Sequence, residues 1–182
     1  KIYNYEETAF LLSYLNKEDL FIDIGANQGF YTLTTSGVIG CKTIAIEPVP
    51  DTFERLKLNI SLNKLKNVQL VQKVISNNNK TVKVSNQSGE LNKVIFNKTS
   101  KNTLECESIS LDELIDSSID VNCIKIDVEG FEKMVLEGAE RILKSSFLNV
   151  INIELNNSNL YYNYKEDEIV KILEDNSFKP YS

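Results

Sequence analysis

The residues from Phe21 to Tyr31 constrain the fold of this chain more than any other stretch. They read Phe-Ile-Asp-Ile-Gly-Ala-Asn-Gln-Gly-Phe-Tyr, and Leu20 extends the apolar run upstream. Apolar, largely β-branched residues on either side of Asp23 are typical of a buried strand. Gly25 ends that run, and after Gly29 apolar residues resume at helical spacing. The stretch therefore predicts a strand, a tight glycine turn and the start of a helix.

The glycine turn predicts a ligand site, because open α/β sheets bind ligands at the carboxyl ends of their strands. Gly25 lets a ligand approach the backbone, and a helix that begins near Asn27 or Gln28 directs unpaired N–H groups into the same space. The spacing lacks the G-x-G-x-x-G of dinucleotide folds and the Lys-Ser/Thr pair of a P-loop. It favours a nucleoside that carries an amino-acid tail. Asp23 needs a partner in a buried strand, and a bound cation is one candidate. A turn that needs glycine only for packing is the alternative.

Composition limits the classes of function. With 182 residues, 42% of them hydrophobic, the chain is expected to form one globular domain over residues 1–182. A net charge of −6 argues against a nucleic-acid partner. No apolar run reaches membrane-spanning length and no signal peptide is visible, which together with three cysteines at no metal-type spacing favours a cytoplasmic protein. The absence of histidine leaves Asp, Glu, Lys, Tyr or Cys as general base. No oligomeric state is predicted.

Strand and helix patterns alternate along the chain. Strands are predicted at 20–24, 43–46, 67–76, 123–126, 148–155 and 178–182. Helices are predicted at 3–16, within a leading segment 1–18, and at 28–36, 51–63, 110–114, 132–144 and 166–176. Residues 77–107 are polar and predict an excursion of short antiparallel strands, at 81–84, 94–96 and 103–109, or a mobile loop. The alternation predicts an α/β fold with a mostly parallel sheet and helices on both faces.

Acidic residues close four strands of the predicted sheet. They are Asp23, Glu47, Asp127 with Glu129, and Glu154. Because the carboxyl ends of parallel strands meet at one edge, we expect these side chains to lie close together. Glu47 follows Gly25 at nearly the offset, about 20 residues, at which an acidic residue binds ribose hydroxyls in nucleotide-binding folds. A strand-end glutamate alone is a common surface residue, but its register with the glycine turn favours the ribose role.

Five motifs occur in a specific order along the chain. They are Asp23–Leu33, Glu47–Pro50, Ser110–Asp112, Lys125–Glu132 and Val135–Ala139. In this order they resemble the FkbM family of S-adenosylmethionine-dependent methyltransferases, and the similarity extends from Leu20 to Asn156. The resemblance implies the class I methyltransferase fold, a Rossmann-like three-layer sandwich with seven strands, the last one antiparallel. The chain ends where the sixth strand is expected to begin, so the last strands are expected to be truncated.

The resemblance also implies which residues bind S-adenosylmethionine. They are Asp23, Gly25, Ala26, Asn27, Gly29, Glu47, Pro48, Val49, Ser76 and Asp127. The residues of the glycine turn would hold the methionine portion, and Glu47 would take the ribose hydroxyls. Pro48 and Val49 would flank the adenine. Ser76 stands where many class I enzymes carry an acidic residue near the adenine, and Asp127 would lie beside the reacting methyl group.

The function that the resemblance implies is O-methylation of a hydroxyl on a sugar, a glycan or a small natural product. Without histidine, Asp127, Glu129 and Glu154 are the candidate catalytic bases. The first prediction is that the chain has no metal site. The alternative is a Mg²⁺ site of Asp127, Glu154 and Asn156, hard oxygen ligands that would let the ion lower the pKa of a substrate hydroxyl.

Two other classes of function stay open at this point. One is a binding module of the same fold that has lost turnover. The other is a nicotinamide-dependent oxidoreductase, against which the missing third glycine argues. The spacing Tyr161-x-x-x-Lys165 matches the catalytic pair of some such enzymes, but it follows the fifth strand and is interpreted as chance.

Overall fold

The structure is a computed structural model that describes residues 5–85, 92–95 and 103–181. Its strands are β1 (Leu20–Ile24), β2 (Lys42–Ile46), β3 (Val68–Val71), β4 (Val74–Ile75), β5 (Thr81–Ser85), β6 (Val94–Ile95), β7 (Thr103–Ile109), β8 (Cys123–Ile126) and β9 (Val150–Ile153). Its helices are α1 (Tyr5–Tyr14), α2 (Phe30–Leu33), α3 (Pro50–Leu62), α4 (Leu111–Leu114), α5 (Glu132–Glu137), α6 (Glu140–Leu143) and α7 (Glu166–Asp175). A π-helical segment, Thr34–Ile39, continues α2, and a 3₁₀ helix, Ser158–Tyr162, precedes α7.

Five parallel strands form the central sheet in the order β3-β2-β1-β8-β9. β1 lies in the middle, between β2 and β8, so that Asp23 stands beside Ala45 and Lys125. Every residue of β1 and β8 is buried, as expected of inner strands that are covered on both faces. This burial explains why both strands read as apolar runs with a single charge. The strand order brings the carboxyl ends of β1, β2 and β8 side by side.

Helices cover both faces of the central sheet, because alternate strand residues point to opposite sides. On one face, Ile22 belongs to the large apolar cluster that includes Leu136 of α5. On the other face, Phe21 packs with Leu11 of α1, and Ala45 packs with buried residues of α3. The arrangement confirms the predicted α/β fold, with three layers and a mostly parallel sheet.

The predicted third strand, 67–76, is in fact two strands that belong to two sheets. β3 pairs with β2, whereas β4 joins a smaller sheet of order β4-β7-β5-β6, in which β5 is antiparallel to both neighbours. An apolar run does not reveal that its halves pair with different strands, so the single-strand prediction was wrong. β5, β6 and β7 lie where short strands were predicted within 77–107. Residues 86–91 and 96–102 of that segment, including Phe96 of a predicted strand, lie outside the described residues.

Helix α2 begins later than the glycine motif predicted. Gly29, with a φ of 93°, is left-handed and caps the helix, so that the first helical residue is Phe30. The segment 25–28 is therefore a loop. The helix runs on as the π-helical segment through Gly37, and Gly40 ends it in a left-handed conformation. The helix therefore continues past residue 36, where its end was predicted.

The predicted helix 132–144 is interrupted at Gly138. A Cβ atom at Gly138 would lie 2.1 Å from the carbonyl oxygen of Ser76, so only glycine fits at this position. The backbone N–H groups of Arg141 and Ile142 in α6 donate to the Asp112 carboxylate at 2.7 and 3.1 Å. Asp112 therefore caps the second helix, which gives the Ser-Leu-Asp motif a structural role.

The ends of the chain differ from the sequence predictions. The predicted strand 178–182 is absent from residues 178–181, and Ser182 lies outside the described part, as does Tyr3 of the leading helix. The Phe178 N–H donates to the Leu173 carbonyl at 2.9 Å, so this residue closes the end of α7 instead of starting a strand. Within the described ranges, no helix is long and apolar enough to cross a membrane.

Candidate functional site

A cleft of about 410 Å³ opens at the carboxyl ends of β1, β2 and β8. Its polar side consists of the turn after β1, Glu47 after β2 and Asp127 after β8. Its apolar side includes Val74, Val84 and Val94, which belong to three strands of the smaller sheet. That sheet therefore supplies a wall of the cleft, a contribution that the sequence patterns did not predict.

Gly25 brings three strand ends into contact. Its φ of 82° lies in the left-handed region, and a Cβ atom here would lie 1.9 Å from the carbonyl oxygen of Asp127. The N–H groups of Gly25 and Ala26 both donate to the Ile46 carbonyl, at 3.0 and 2.9 Å. Only glycine satisfies both the backbone conformation and the close approach.

Glu47 holds the glycine turn with both of its carboxylate oxygens. Oε2 accepts from the backbone N–H of Asn27 at 3.1 Å, and Oε1 accepts from that of Val49 at 2.9 Å. Burial raises the pKa of Glu47 to about 7. The two backbone donors act to lower this pKa, and the negative charges of Asp23 and Asp127 act to raise it. Each carboxylate oxygen keeps acceptor capacity, so Glu47 can receive further hydrogen bonds from hydroxyl groups in the cleft.

Asp23 lies in β1 and does not line the cleft. Its Oδ2 accepts from Thr32 Oγ1 of α2 at 2.6 Å, while Oδ1 is buried with no hydrogen-bond partner among the described residues. Burial raises the pKa of Asp23, and the ammonium group of Lys125 acts in the opposite direction. A bound cation was one candidate partner for Asp23; in the structure the nearby positive charge is the Lys125 ammonium group of the chain itself.

Lys125 is a buried cation at the base of the cleft, with 2% of the residue exposed. Its Nζ donates to Asp127 Oδ2 at 2.9 Å and lies 4.6 Å from the centroid of the Tyr31 ring. The Tyr31 hydroxyl in turn donates to Glu7 of α1. The sequence predictions gave Lys125 no role, although a lone lysine in a buried strand is itself a signal.

Glu154 follows β9 and lines the cleft beside the end of β8. Partial burial is the main cause that raises the pKa of Glu154, and the carboxylates of Asp127, Glu7 and Glu129 act in the same direction. Lys125 opposes them. Three carboxylates, those of Asp127, Glu129 and Glu154, therefore line this end of the cleft together with the Lys125 ammonium group.

Glu129 faces the segment after β9. Its Oε2 accepts from Asn156 Nδ2 at 3.5 Å and from Ser158 Oγ at 3.4 Å. Asn156 does not line the cleft, and the described part of the chain has no group of three or more His, Cys, Asp or Glu residues that could hold a metal ion. The alternative Mg²⁺ site of Asp127, Glu154 and Asn156 has no support.

The structure brings most of the predicted site residues together. Those that line the cleft are Gly25, Ala26, Asn27, Glu47, Pro48, Val49, Asp127, Glu129 and Glu154. Those that do not are Asp23, Gly29, Ser76 and Asn156. Gly29 is needed for packing, since a Cβ atom there would lie 2.5 Å from Leu56 Cδ1. Ser76 is buried, and the cleft wall at this level is formed by Val74 and Ile75.

Comparisons with known proteins identify relatives of this chain. A hexuronic acid methyltransferase of Haloferax volcanii, AglP, is 30% identical over 151 residues. The match covers 80% of this chain but 59% of AglP, so the chain spans less than two thirds of that relative's length.

Two solved structures show the same fold at low sequence identity. The precorrin-6y C5,15-methyltransferase of Geobacter metallireducens GS-15 has a TM-score of 0.59 and 17% identity, over 98% of this chain and 74% of that one. M. jannaschii TYW2 in complex with AdoMet has a TM-score of 0.50 and 16% identity, over 95% of this chain and 62% of that one.

The family follows from a match that extends over most of the sequence. Residues 23–180 match the methyltransferase FkbM domain. This range includes the glycine turn, Glu47, the ion pair at the end of β8 and Glu154. The fold, the cleft and this match agree, and the chain belongs to the FkbM methyltransferase family.

Proposed function

We propose that this protein transfers a methyl group from S-adenosylmethionine to a hydroxyl group of a sugar, a glycan or another small molecule. Membership of the FkbM family supports methyl transfer, and the name of the hexuronic acid methyltransferase among its relatives supports a sugar acceptor. The observation that carries the proposal is Glu47, a buried carboxylate that fixes the glycine turn and keeps acceptor capacity toward the cleft.

The residues of the cleft fit this cofactor. The turn at Gly25, Ala26 and Asn27 offers backbone without a side chain at its closest point, which suits the methionine portion. Glu47 is placed to accept hydrogen bonds from the two neighbouring ribose hydroxyls. The apolar wall of the smaller sheet, with Pro48 and Val49, suits the adenine ring. In this proposal Asp23 orders the turn through Thr32 and does not itself contact the cofactor.

When bound, S-adenosylmethionine supplies a methyl group activated by its sulfonium sulfur, whose S–C bond breaks as the C–O bond to the acceptor forms. The chain must align the acceptor oxygen, exclude water and take the hydroxyl proton. We assign this work to Asp127 and Glu154; support comes from their positions after the adjacent strands β8 and β9, where both line the cleft. We assign the proton to Glu154, because partial burial raises its pKa and so makes it a stronger base than an ordinary glutamate, and we assign the orientation of the hydroxyl to Asp127.

The two rival functions gain no support. Tyr161 lies on the 3₁₀ helix and Lys165 precedes α7, and neither lines the cleft, so they do not form the catalytic pair of an oxidoreductase there. A module without turnover would not need to keep Asp127 and Glu154 together at the cleft.

The experiment is a methyl-transfer assay with the purified chain, labelled S-adenosylmethionine and a panel of neutral, amino and uronic sugar glycosides. Label is expected in a sugar ether that gains one methylene in mass. Gly25→Ala is expected to abolish transfer and the binding of S-adenosylhomocysteine, because its Cβ atom meets the Asp127 carbonyl.

Gly40→Ala is the matched control. Gly40 has a φ of 85°, close to that of Gly25, but a Cβ atom there has nothing within 4 Å. Both variants carry the backbone strain of a left-handed alanine, roughly 1–2 kcal/mol. Gly40→Ala should therefore keep transfer and binding. No binding and no transfer by the folded wild-type chain would refute the proposed function.

A further inference from the structure

Lys125 is a buried charge that the proposed reaction does not use. Its side chain is 3% exposed, yet its Nζ reaches the cleft beside Asp127. Removing an ammonium group from water costs several kcal/mol unless charged and hydrogen-bonding partners compensate. A neutral residue would fill this position in β8 without that cost, so the charge itself calls for an explanation.

We propose that Lys125 is a positioning residue of the methyl-transfer site, which orients the Asp127 carboxylate toward the acceptor through a charged hydrogen bond. The inference rests on the proposed function and adds a specific residue to it. Lys125 acts through Asp127, and it does not itself exchange a proton with the substrate.

The sheet places three charges on one face. Lys125 and Asp127 are two residues apart, so their side chains leave the strand on the same side, and Asp23 stands beside Lys125 in the register of β1 and β8. The hydrogen bond of 2.9 Å goes to Asp127, and Asp23 acts on the ammonium group by charge. One cation thus separates two carboxylates that would otherwise repel each other across the strand ends.

Helices α1 and α2, which cover this face of the sheet, also fix the position of the ammonium group. Its Nζ lies 4.6 Å from the Tyr31 ring centroid, and the Tyr31 hydroxyl is held by Glu7. A cation over an aromatic face at this distance is attracted to it. The ammonium position is therefore set by two strands and two helices, which gives Asp127 a fixed partner.

Other ionisable groups face this pair and must be considered in any pH profile. They are Asp23 of β1, Glu47 after β2, Glu129 after β8, Glu154 after β9, Tyr31 of α2 and Glu7 of α1. All except Tyr31 are carboxylates. Two other lysines lie in this region: Lys73 lines the cleft, and Lys93 donates to the Ser158 hydroxyl beside Glu129. Loss of the Lys125 charge should make Asp23 and Glu154 easier to protonate, because the ammonium group acts to lower the pKa of both.

The test compares Lys125→Met, Lys125→Arg, Asp127→Asn and the double variant Lys125→Met/Asp127→Asn. Lys125→Met is expected to lower kcat at least tenfold with little change in the KM of the cofactor. It should also move the acid limb of kcat/KM to higher pH, because the ammonium charge that opposes the raised pKa of Glu154 is lost. Lys125→Arg keeps the charge and should keep the wild-type acid limb, even at a lower rate. Lys144→Met, at an exposed lysine directly after α6, is the control for loss of a lysine.

The double variant decides whether Lys125 acts through Asp127. In that case Lys125→Met costs no further rate once Asp127 is Asn, whereas independent effects would multiply. Urea unfolding of the wild type, Lys125→Met, Asp127→Asn and the double variant, all without ligand, adds a readout that does not need turnover. Coupling of the two residues is expected there as well.

Suppose that the wild-type chain transfers methyl groups, but the rate effects of Lys125→Met and Asp127→Asn multiply in the double variant, or the acid limb of Lys125→Met is unchanged. Either result overturns the role of Lys125 and leaves the proposed function intact. Absence of transfer by the wild-type chain instead overturns the proposed function itself. A purely structural lysine would lower stability in Lys125→Met without moving the acid limb.

Discussion

The binding of S-adenosylhomocysteine is expected to depend on pH through Glu47. Ribose hydroxyls donate hydrogen bonds, and they bind an ionised carboxylate more strongly than a protonated one. The pKa of Glu47 in the ligand-free protein is raised to about 7, chiefly by burial. Affinity should therefore rise with pH through this value and level off above it.

The size of the effect follows from the fraction of Glu47 that is ionised. With a pKa of about 7, roughly one tenth of the carboxyl is ionised at pH 6 and nearly all of it at pH 8. Affinity at pH 6 is then expected to be about tenfold weaker, or about 1.4 kcal/mol. Glu47→Gln cannot ionise, so it should bind more weakly at pH 8 and lose most of this pH dependence.

Titration calorimetry at pH 6, 7 and 8, in two buffers of different ionisation enthalpy, measures both the affinity and the protons released. We expect proton release near pH 7 in the wild type and much less in Glu47→Gln. Equal wild-type affinities at pH 6 and pH 8, or the same pH dependence in the variant, would refute the ribose assignment. Val49→Ala keeps the carboxylate but removes packing against the adenine, so it should lower affinity and leave the pH dependence unchanged.

Glu47 also links folding to pH, and three further substitutions test other contacts. A carboxyl whose pKa rises on folding from 4.5 to about 7 stabilises the fold below pH 4.5 and loses that contribution, about 3 kcal/mol, as pH rises through 7. Urea unfolding of wild type and Glu47→Gln measures it. Gly138→Ala should lower the free energy of unfolding by at least about 1–3 kcal/mol, because its Cβ atom clashes with the Ser76 carbonyl. Gly37→Ala is the control, because its Cβ atom would make only ordinary contacts and should not lower this free energy. Asp112→Ala should cost about 1–2 kcal/mol by uncapping α6, and Asp112→Asn much less. Glu154→Gln should reduce kcat about 10²–10⁴-fold and leave S-adenosylhomocysteine affinity unchanged.

Much of the fold could be predicted because its inner strands are covered on both faces. β1 and β8 were predicted at their observed limits, since complete burial leaves an apolar run with clear ends. The errors fall where tertiary contacts override a local pattern. Gly138 interrupts a helix only because the Ser76 carbonyl lies against it, and the run 67–76 divides between two sheets.

The candidate site was predictable to the extent that it depends on strand ends. Acidic residues at the ends of parallel strands meet by topology alone, and Glu47, Asp127 and Glu154 do line one cleft. Ser76 does not, because β4 turns away from the central sheet before this residue is reached. The apolar wall was missed because β5 and β6 belong to a segment whose sequence is polar and only weakly patterned.

The pairing of Asp23 with Lys125 depends on a quantity that no local pattern contains, the register between β1 and β8. Each inner strand carries one charge, and the sequence shows both charges without showing that they meet. A slip of one residue would turn Lys125 to the opposite face of the sheet and leave Asp23 buried with no cation beside it. Because an unpaired buried charge is strongly unfavourable, the two charges oppose such a slip. The residues that we propose to prepare the transfer site thus also help to specify the strand alignment that creates it.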